Sequence, residues 1–207
     1  MTATSRIRGA TAGALRAPRS AWLVLGPLLC LSGLSAACGG AAAERREREA
    51  AAKEASAPEL IRRGEASASL GDLTRAEQYF VAALKTGGDE KKVTERLLAV
   101  CVADQRYPVA VEYAEQYLYR HPRDADVQFA AGSLHAALGN VERARRLLED
   151  VVSQRPNWPE VHYALATVLR DQGEAIELAD RHDLDYLRLS PQGTFSETVR
   201  ARLRSTP

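Results

Sequence analysis

The 207-residue chain carries 28 lysines and arginines against 27 aspartates and glutamates, a formal net charge of +1, with 45% hydrophobic residues and a mean hydropathy of −0.29. Arg6, Arg8, Arg16 and Arg19 precede residue 38 with no acid among them, which leaves 24 basic against 27 acidic residues, or −3, from residue 38 onward. That balance gives no electrostatic case for nucleic-acid binding, and the composition suits a folded body outside the N-terminal segment, long enough for one helical domain with a continuous core.

The first predicted element is a targeting segment. After the four arginines comes an apolar run from Ala21 to Leu31, then Leu34-Ser35-Ala36-Ala37-Cys38. A basic region, a short apolar core and small residues at a cleavage point make a secretory signal peptide, here residues 1–37. Small residues directly before Cys38 resemble the bacterial lipobox, with Ser35 standing where leucine is usual. The resemblance implies that Cys38 is lipidated, becomes the first residue of the mature chain and anchors it to a membrane. The residues alone leave two alternatives. One is ordinary cleavage after an A-x-A-like site, giving a soluble periplasmic protein with Cys38 incidental. The other is an uncleaved anchor, for which Ala21–Ala37 is short and holds Gly26 and Pro27. Gly39 is not the aspartate of the known lipoprotein sorting pattern, which by resemblance favours the outer membrane, facing the periplasm. With Cys30 in the signal and Cys38 lipidated, Cys101 has no cysteine to pair with. It reads as a small core hydrophobe rather than a redox group.

Residues 38–57 follow as a tether. Gly39 and Gly40 are flexible, and the remainder is alanine with mixed charge, including Glu49-Ala-Ala-Ala-Lys53. This is a semi-rigid helical spacer composition with no apolar stripe to pack on anything.

From residue 58 the chain is periodic. Ala76, Ala110 and Ala144 stand 34 residues apart, and so do Pro122 and Pro156, each twelve residues beyond its alanine. Gly71 and Gly139 each lie five residues before an alanine. Leu70, Ala76, Phe80, Ala83 and Leu84 fall at helical spacings around Gly71-Asp72. Leu134, Leu138, Val141, Leu147, Leu148, Val151 and Val152 do the same around Gly139-Asn140. The alanines let two helices approach closely, and Pro122 and Pro156 stop the second helices of their units. Asn157 with Glu160 reads as a capping box, with Pro159 in the first turn of the next helix. In the fourth unit Ala179 sits one residue late, which predicts a one-residue insertion after Gly173. Beyond Pro191, Thr194 with Glu197 reads as another capping box. It opens a last helix to about Arg204, within residues 192–207, with Val199 and Leu203 facing inward. No strand pattern is evident.

A 34-residue period with small residues at fixed offsets is the mark of stacked helix–turn–helix units. The units resemble the tetratricopeptide repeat, W-x2-L-G-x2-Y, then A-x3-F, then P. They read Leu60-x2-Arg63-Gly64-x2-Ser67 with Ala76-x3-Phe80, and Thr94-x2-Leu97-Leu98-x2-Cys101 with Ala110-x3-Ala114 and Pro122. The next are Gln128-x2-Ala131-Gly132-x2-His135 with Ala144-x3-Leu148 and Pro156, and His162-x2-Leu165-Ala166-x2-Leu169 with Ala179-x3-Asp183 and Pro191. The tryptophan and tyrosine of the pattern are absent throughout, and Arg63 replaces its leucine, which marks the first unit as a degenerate cap. The resemblance spans residues 58–191 as four units. It implies an all-α solenoid of about eight repeat helices closed by a C-terminal capping helix, since the end of a stack must be covered.

The search for chemistry is short. No phosphate-binding loop, dinucleotide fingerprint, zinc-protease helix or nucleophile elbow is present, so no catalytic residue, cofactor or metal is expected. Arg181-His182-Asp183-Leu184-Asp185 is the densest polar cluster and reads as a solvated helix face, as do Arg143, Arg145 and Arg146 among Glu142, Glu149 and Asp150. His135 and His162 read as packed, hydrogen-bonded histidines. The candidate site is the concave groove that first helices line in the family. Carried over by register, it holds Arg62 and Glu65, then Glu95, Arg96 and Val102, then Phe129 and Ser133, then Tyr163, Thr167 and Arg170. Phe129 and Tyr163 stand as neighbours on adjacent helices, flanked by Arg96 and Arg170, and suit an apolar side chain with a carboxylate nearby. The alternative is that the aromatics pack between repeats and the arginines are solvated. The resemblance implies a non-catalytic scaffold or assembly factor for an envelope protein or peptide segment, in outer-membrane, pilus-secretin or cell-wall machinery. A non-catalytic subunit of an envelope enzyme complex is the second class.

Overall fold

The computed structural model describes residues 37–173 and 175–205, with side chains from Glu44 to Gly173 and from Ala175 to Arg204. The expected signal segment lies outside the described residues except for the backbone of Ala37, and the Cys38 side chain lies outside them too. Among the described residues are ten helices and no strand. Helix α1 covers Ala37–Glu54. Every side chain described from Glu44 to Ala55 is exposed, as the alanine and charge composition predicts.

The repeats lie in a unit that begins at Arg46. It is built from four helix pairs: α2 Ala57–Ser69 with α3 Leu73–Lys85, α4 Glu90–Ala103 with α5 Tyr107–Arg120, α6 Ala125–Ala137 with α7 Val141–Gln154, and α8 Pro159–Gln172 with α9 Ile176–Leu189. Each helix packs on the next in sequence, so the pairs stack in one direction. Helix α10, Ser196–Ser205, packs on α9 and covers the end of the stack. Val199 is fully buried there and Leu203 half-buried.

The periodic alanines sit where the sequence places them. Ala76, Ala110, Ala144 and the late Ala179 are all 0% exposed. Opposite each pair's second helix, a small residue meets a large one. A Cβ on Gly64 would lie 2.5 Å from the Phe80 ring, and one on Gly132 would lie 3.0 Å from Leu148. The second repeat inverts the sizes, with Leu98 and Ala114 in one core cluster. Helices α5, α7 and α9 stop at Arg120, Gln154 and Leu189, just ahead of Pro122, Pro156 and Pro191.

The turn within each repeat shares one geometry. Residues 71, 105, 139 and 173 all have positive φ, at 80°, 57°, 75° and 72°. Three are glycine and one is Gln105. Arg106 N–H donates to the Cys101 carbonyl at 2.8 Å and Gln105 N–H to Val102 at 3.0 Å, the same paired bonds that Gly71 and Gly139 make with their own helix ends. A side chain in the left-handed region is strained. Gln105→Gly is therefore expected to stabilise the protein by about 1 kcal/mol, less the entropy lost by ordering glycine. Chemical denaturation checks it, and a loss of stability would show that the Gln105 side chain contributes elsewhere. After Gly173 the next helix starts at Ile176, one residue later than after Gly71 and Gly139, which is the expected insertion.

Two capping expectations fail. The N-cap of α8 is Trp158, not Asn157, and no side chain caps it. Pro159 does occupy the first turn, and its fixed φ starts the helix without a capping side chain. Helix α10 starts at Ser196 rather than after Thr194. The preceding turn wraps the Tyr186 hydroxyl, which accepts from Phe195 N–H at 2.9 Å, while Ser196 Oγ donates to the Ser190 carbonyl at 2.8 Å. The caps that do form are Asp72, Asp89 and Asp124, each accepting from a backbone N–H of its helix's first turn.

Candidate functional site

The first helices α6 and α8 lie side by side, and the turn before α10 borders them. Between them is a cavity of about 440 Å³. Phe129, Ser133 and Ala136 line it from α6. Glu160, Tyr163, Ala164, Thr167 and Val168 line it from α8, with Leu148 beneath and Phe195 at the end. Ser133 and Glu160 are exposed and Leu148 is fully buried, so the cavity has an open mouth and an apolar floor.

The aromatic walls are held in place. Tyr163 stacks on Phe195, with ring centroids 4.0 Å apart and planes 6° from parallel. The Arg202 guanidinium stands over the same ring at 4.7 Å, and its Nη1 donates to Thr167 Oγ1 at 3.1 Å. Phe129 packs on Trp158 at 4.7 Å. The expected Phe129–Tyr163 neighbours thus line one cavity, but each ring is backed by a different aromatic. The position of Trp158 is Asp124 one repeat earlier, and Phe195 and Arg202 lie beyond the fourth unit, so the period held no signal for them. Walls fixed before binding lower the ordering cost that a ligand must offset.

A second cavity, of about 430 Å³, lies at the N-terminal end of the same row and is charged. Arg62, Glu65, Lys92 and Arg96 line it with Ile61 and Pro58. Its charges are paired within the cavity or with the neighbouring Glu59. Arg96 Nε donates to Glu65 Oε1 at 2.6 Å, and Arg62 Nε to Glu59 Oε2 at 2.9 Å. The Arg62 hydrogen bond, working against slight desolvation and joined by Arg63, holds the Glu59 carboxyl down at about 2. Glu95 and Val102 are exposed on α4 between the two cavities, and Val102 is at the register position of Ala136.

Arg170 does not line the cavity. It lies between α8 and α9, where Nη2 donates to Asp183 Oδ2 at 2.8 Å and also reaches Asp180. Asp183 is 0% exposed, and a carboxylate buried that deeply draws the nearest cation. The reading of Arg181–Asp185 as a solvated face therefore fails at Asp183, and at His182, which is half-buried against His162. Arg143 departs from the expected local pairing as well. Its Nη2 donates to Glu115 on α5 at 2.8 Å, beside His135, whose Nε2 is 3.0 Å from the same carboxylate. Burial pushes the Cys101 thiol up to about 11, so it stays an apolar thiol in the core. Among the described residues no helix is long and apolar enough to cross a membrane.

Residues 102–168, from the end of α4 into α8, match the family described as tetratricopeptide repeat. The fold is shared with solved structures. One is YrrB, described as a TPR protein with an unusual peptide-binding site, 18% identical over 72% of this chain and 76% of that one, with a TM-score of 0.62. Another is MamA from Desulfovibrio magneticus RS-1, 21% identical over 69% of this chain and 80% of that one, at 0.60. A third is a tetratricopeptide repeat protein from Parabacteroides merdae ATCC 43184, 18% identical over 72% of this chain and 59% of that one, at 0.64. At these identities the likeness is one of fold. No curated protein matches the sequence.

Proposed function

We propose that this tetratricopeptide-type solenoid is a membrane-anchored envelope scaffold that grips a protein segment without chemical turnover. In this reading residues 1–37 are removed, Cys38 carries the lipid, and residues 38–57 hold the repeats off the outer membrane. The groove formed by α2, α4, α6 and α8 receives an extended segment of an envelope protein. An apolar side chain of that segment seats against Phe129, Tyr163 and Phe195, while Arg62, Glu65, Lys92 and Arg96 meet its polar part.

The observation that carries this is the 440 Å³ cavity with an apolar floor and preset aromatic walls. An aromatic pocket of this kind is where binding energy concentrates, at about 2 kcal/mol or more for a central anchor. YrrB, which shares the fold, is described as having a peptide-binding site, and the proposal extends that kind of role to this chain. The anchor rests on the order of basic, apolar and small residues ending at Cys38.

Two experiments test the reading. Ser133 is exposed at the cavity mouth, so Ser133→Trp should fill the cavity while leaving stability within about 0.5 kcal/mol. Affinity capture from envelope extracts should then lose the partner that the parent protein retains. Tyr119→Ala, at a residue 89% exposed and outside the groove row, should keep it. Capture unaffected by Ser133→Trp counts against the groove. Separately, mass spectrometry of the native protein should find a lipid-modified Cys38 at the N-terminus, and Cys38→Ser should release the protein or block processing. An unmodified N-terminus at another residue ends the anchor proposal and leaves the groove untouched.

A further inference from the structure

At the α8–α9 crossing two imidazoles meet. His162 Nδ1 lies 3.0 Å from His182 Nδ1. Asp185, one turn on from His182, places Oδ2 4.0 Å from His162 Nδ1. One donor atom from each of the three residues falls within 4.8 Å of the others. Ligands at about 2.0–2.1 Å in a tetrahedral zinc site stand about 3.3 Å from one another, a spacing that these distances bracket.

The ring of His162 is oriented from behind. Its Nε2 lies 2.8 Å from the Pro156 carbonyl, which can only accept, so Nε2 carries the hydrogen and Nδ1 presents its lone pair to His182. A backbone carbonyl holding the far nitrogen is the usual support of a metal-ligating histidine. Asp185 is held similarly, since its other oxygen, Oδ1, accepts from Arg188 at 2.8 Å. Its side chain is 38% exposed, which leaves an approach for an ion and a water ligand.

The repeat register shows that this arrangement is not forced by the fold. Gln128 takes the place of His162 in the third repeat and makes the same bond, to the Pro122 carbonyl at 2.9 Å. Its counterpart to His182, after the one-residue insertion, is the buried Leu147. Only the fourth repeat sets a second imidazole at that position, where the others hold Tyr79, Tyr113 and Leu147.

We propose that His162, His182 and Asp185 bind one divalent transition-metal ion, zinc by its preference for imidazole and carboxylate donors, which clamps α8 to α9 at the end of the stack. Without the ion, His182 Nδ1–H donates to His162 Nδ1, and metal binding shifts that hydrogen to His182 Nε2. Binding needs no partner in the groove, so this site and the proposed function stand or fall separately.

The test uses tag-free, chelator-treated protein titrated with Zn(II) by calorimetry and with Co(II) by visible absorption. One ion per chain is expected, with the d–d absorption of a low-coordinate Co(II) and a raised melting temperature. His182→Leu copies the third repeat and so preserves packing. It should weaken Zn(II) binding by at least about tenfold, the loss that even an outer partner of a metal ligand produces, and Asp185→Asn should weaken it as well. His121→Gln and Cys101→Ser should leave binding unchanged. No saturable Zn(II) binding overturns the proposal, and so does saturable binding that survives His182→Leu.

Discussion

Arg170→Ala is expected to destabilise the protein by about 3–5 kcal/mol, among the largest effects of any single change in the chain. The reason is Asp183, 0% exposed, whose Oδ2 accepts two bonds from Arg170, at 3.2 Å from Nε and 2.8 Å from Nη2. Taking away the guanidinium leaves a carboxylate in the core with no cation to offset its desolvation. The pair itself is not a source of stability on that scale, since removing both charges is often neutral or favourable. The third repeat supplies the replacement, with Ala136 at the position of Arg170 and Leu148 at that of Asp183. Arg170→Ala with Asp183→Leu should therefore recover most of what Arg170→Ala loses. Denaturant unfolding of the single and double variants measures this. A double variant as unstable as the single one would mean that Arg170 acts through some other contact.

Phe80→Ala should cost about 3–5 kcal/mol, because it empties the crossing of α2 and α3. Phe80 is 1% exposed, and its ring lies so close to Gly64 that a Cβ there would come within 2.5 Å. Gly64→Leu alone should also destabilise, by overpacking the same space, at about 1–3 kcal/mol or more. The second repeat solves the same crossing with Leu98 and Ala114. Gly64→Leu combined with Phe80→Ala rebuilds that pair and should be more stable than the sum of the two losses, with a coupling of about 0.5–3 kcal/mol. Strict additivity would show that the crossing does not exchange volume in this way.

The fold was readable because the stack repeats its constraints. One alanine in 34 marks each close crossing, proline marks the stops of α5, α7 and α9, and a glycine or its substitute marks each left-handed turn. Even the insertion after Gly173 showed as a one-residue delay of Ala179. What escaped was set by contacts between elements rather than by local pattern. Asn157 and Thr194 looked like caps, but Pro159 and the turn around the Tyr186 hydroxyl begin those helices elsewhere. Arg170 fell on the groove face by register, yet an acid thirteen residues on, at a position that is apolar in the other repeats, draws it into the crossing. His162 and His182 are twenty residues apart and on different helices, so only the α8–α9 packing brings their rings together. The aromatic cavity was half visible. Phe129 and Tyr163 carried the period, whereas no aromatic recurs at the positions of Trp158 and Phe195, which come from the segments before α8 and α10.

We propose that the groove between α6 and α8 holds a partner. The most direct measurement places a photo-crosslinking amino acid at position 133 or at position 119 of the native protein in cells. Position 133 opens on the cavity, and position 119 is highly exposed on α5. A discrete adduct with a partner protein is expected from position 133 and none from position 119. Adducts from position 119 with none from position 133 would contradict the groove as the binding surface.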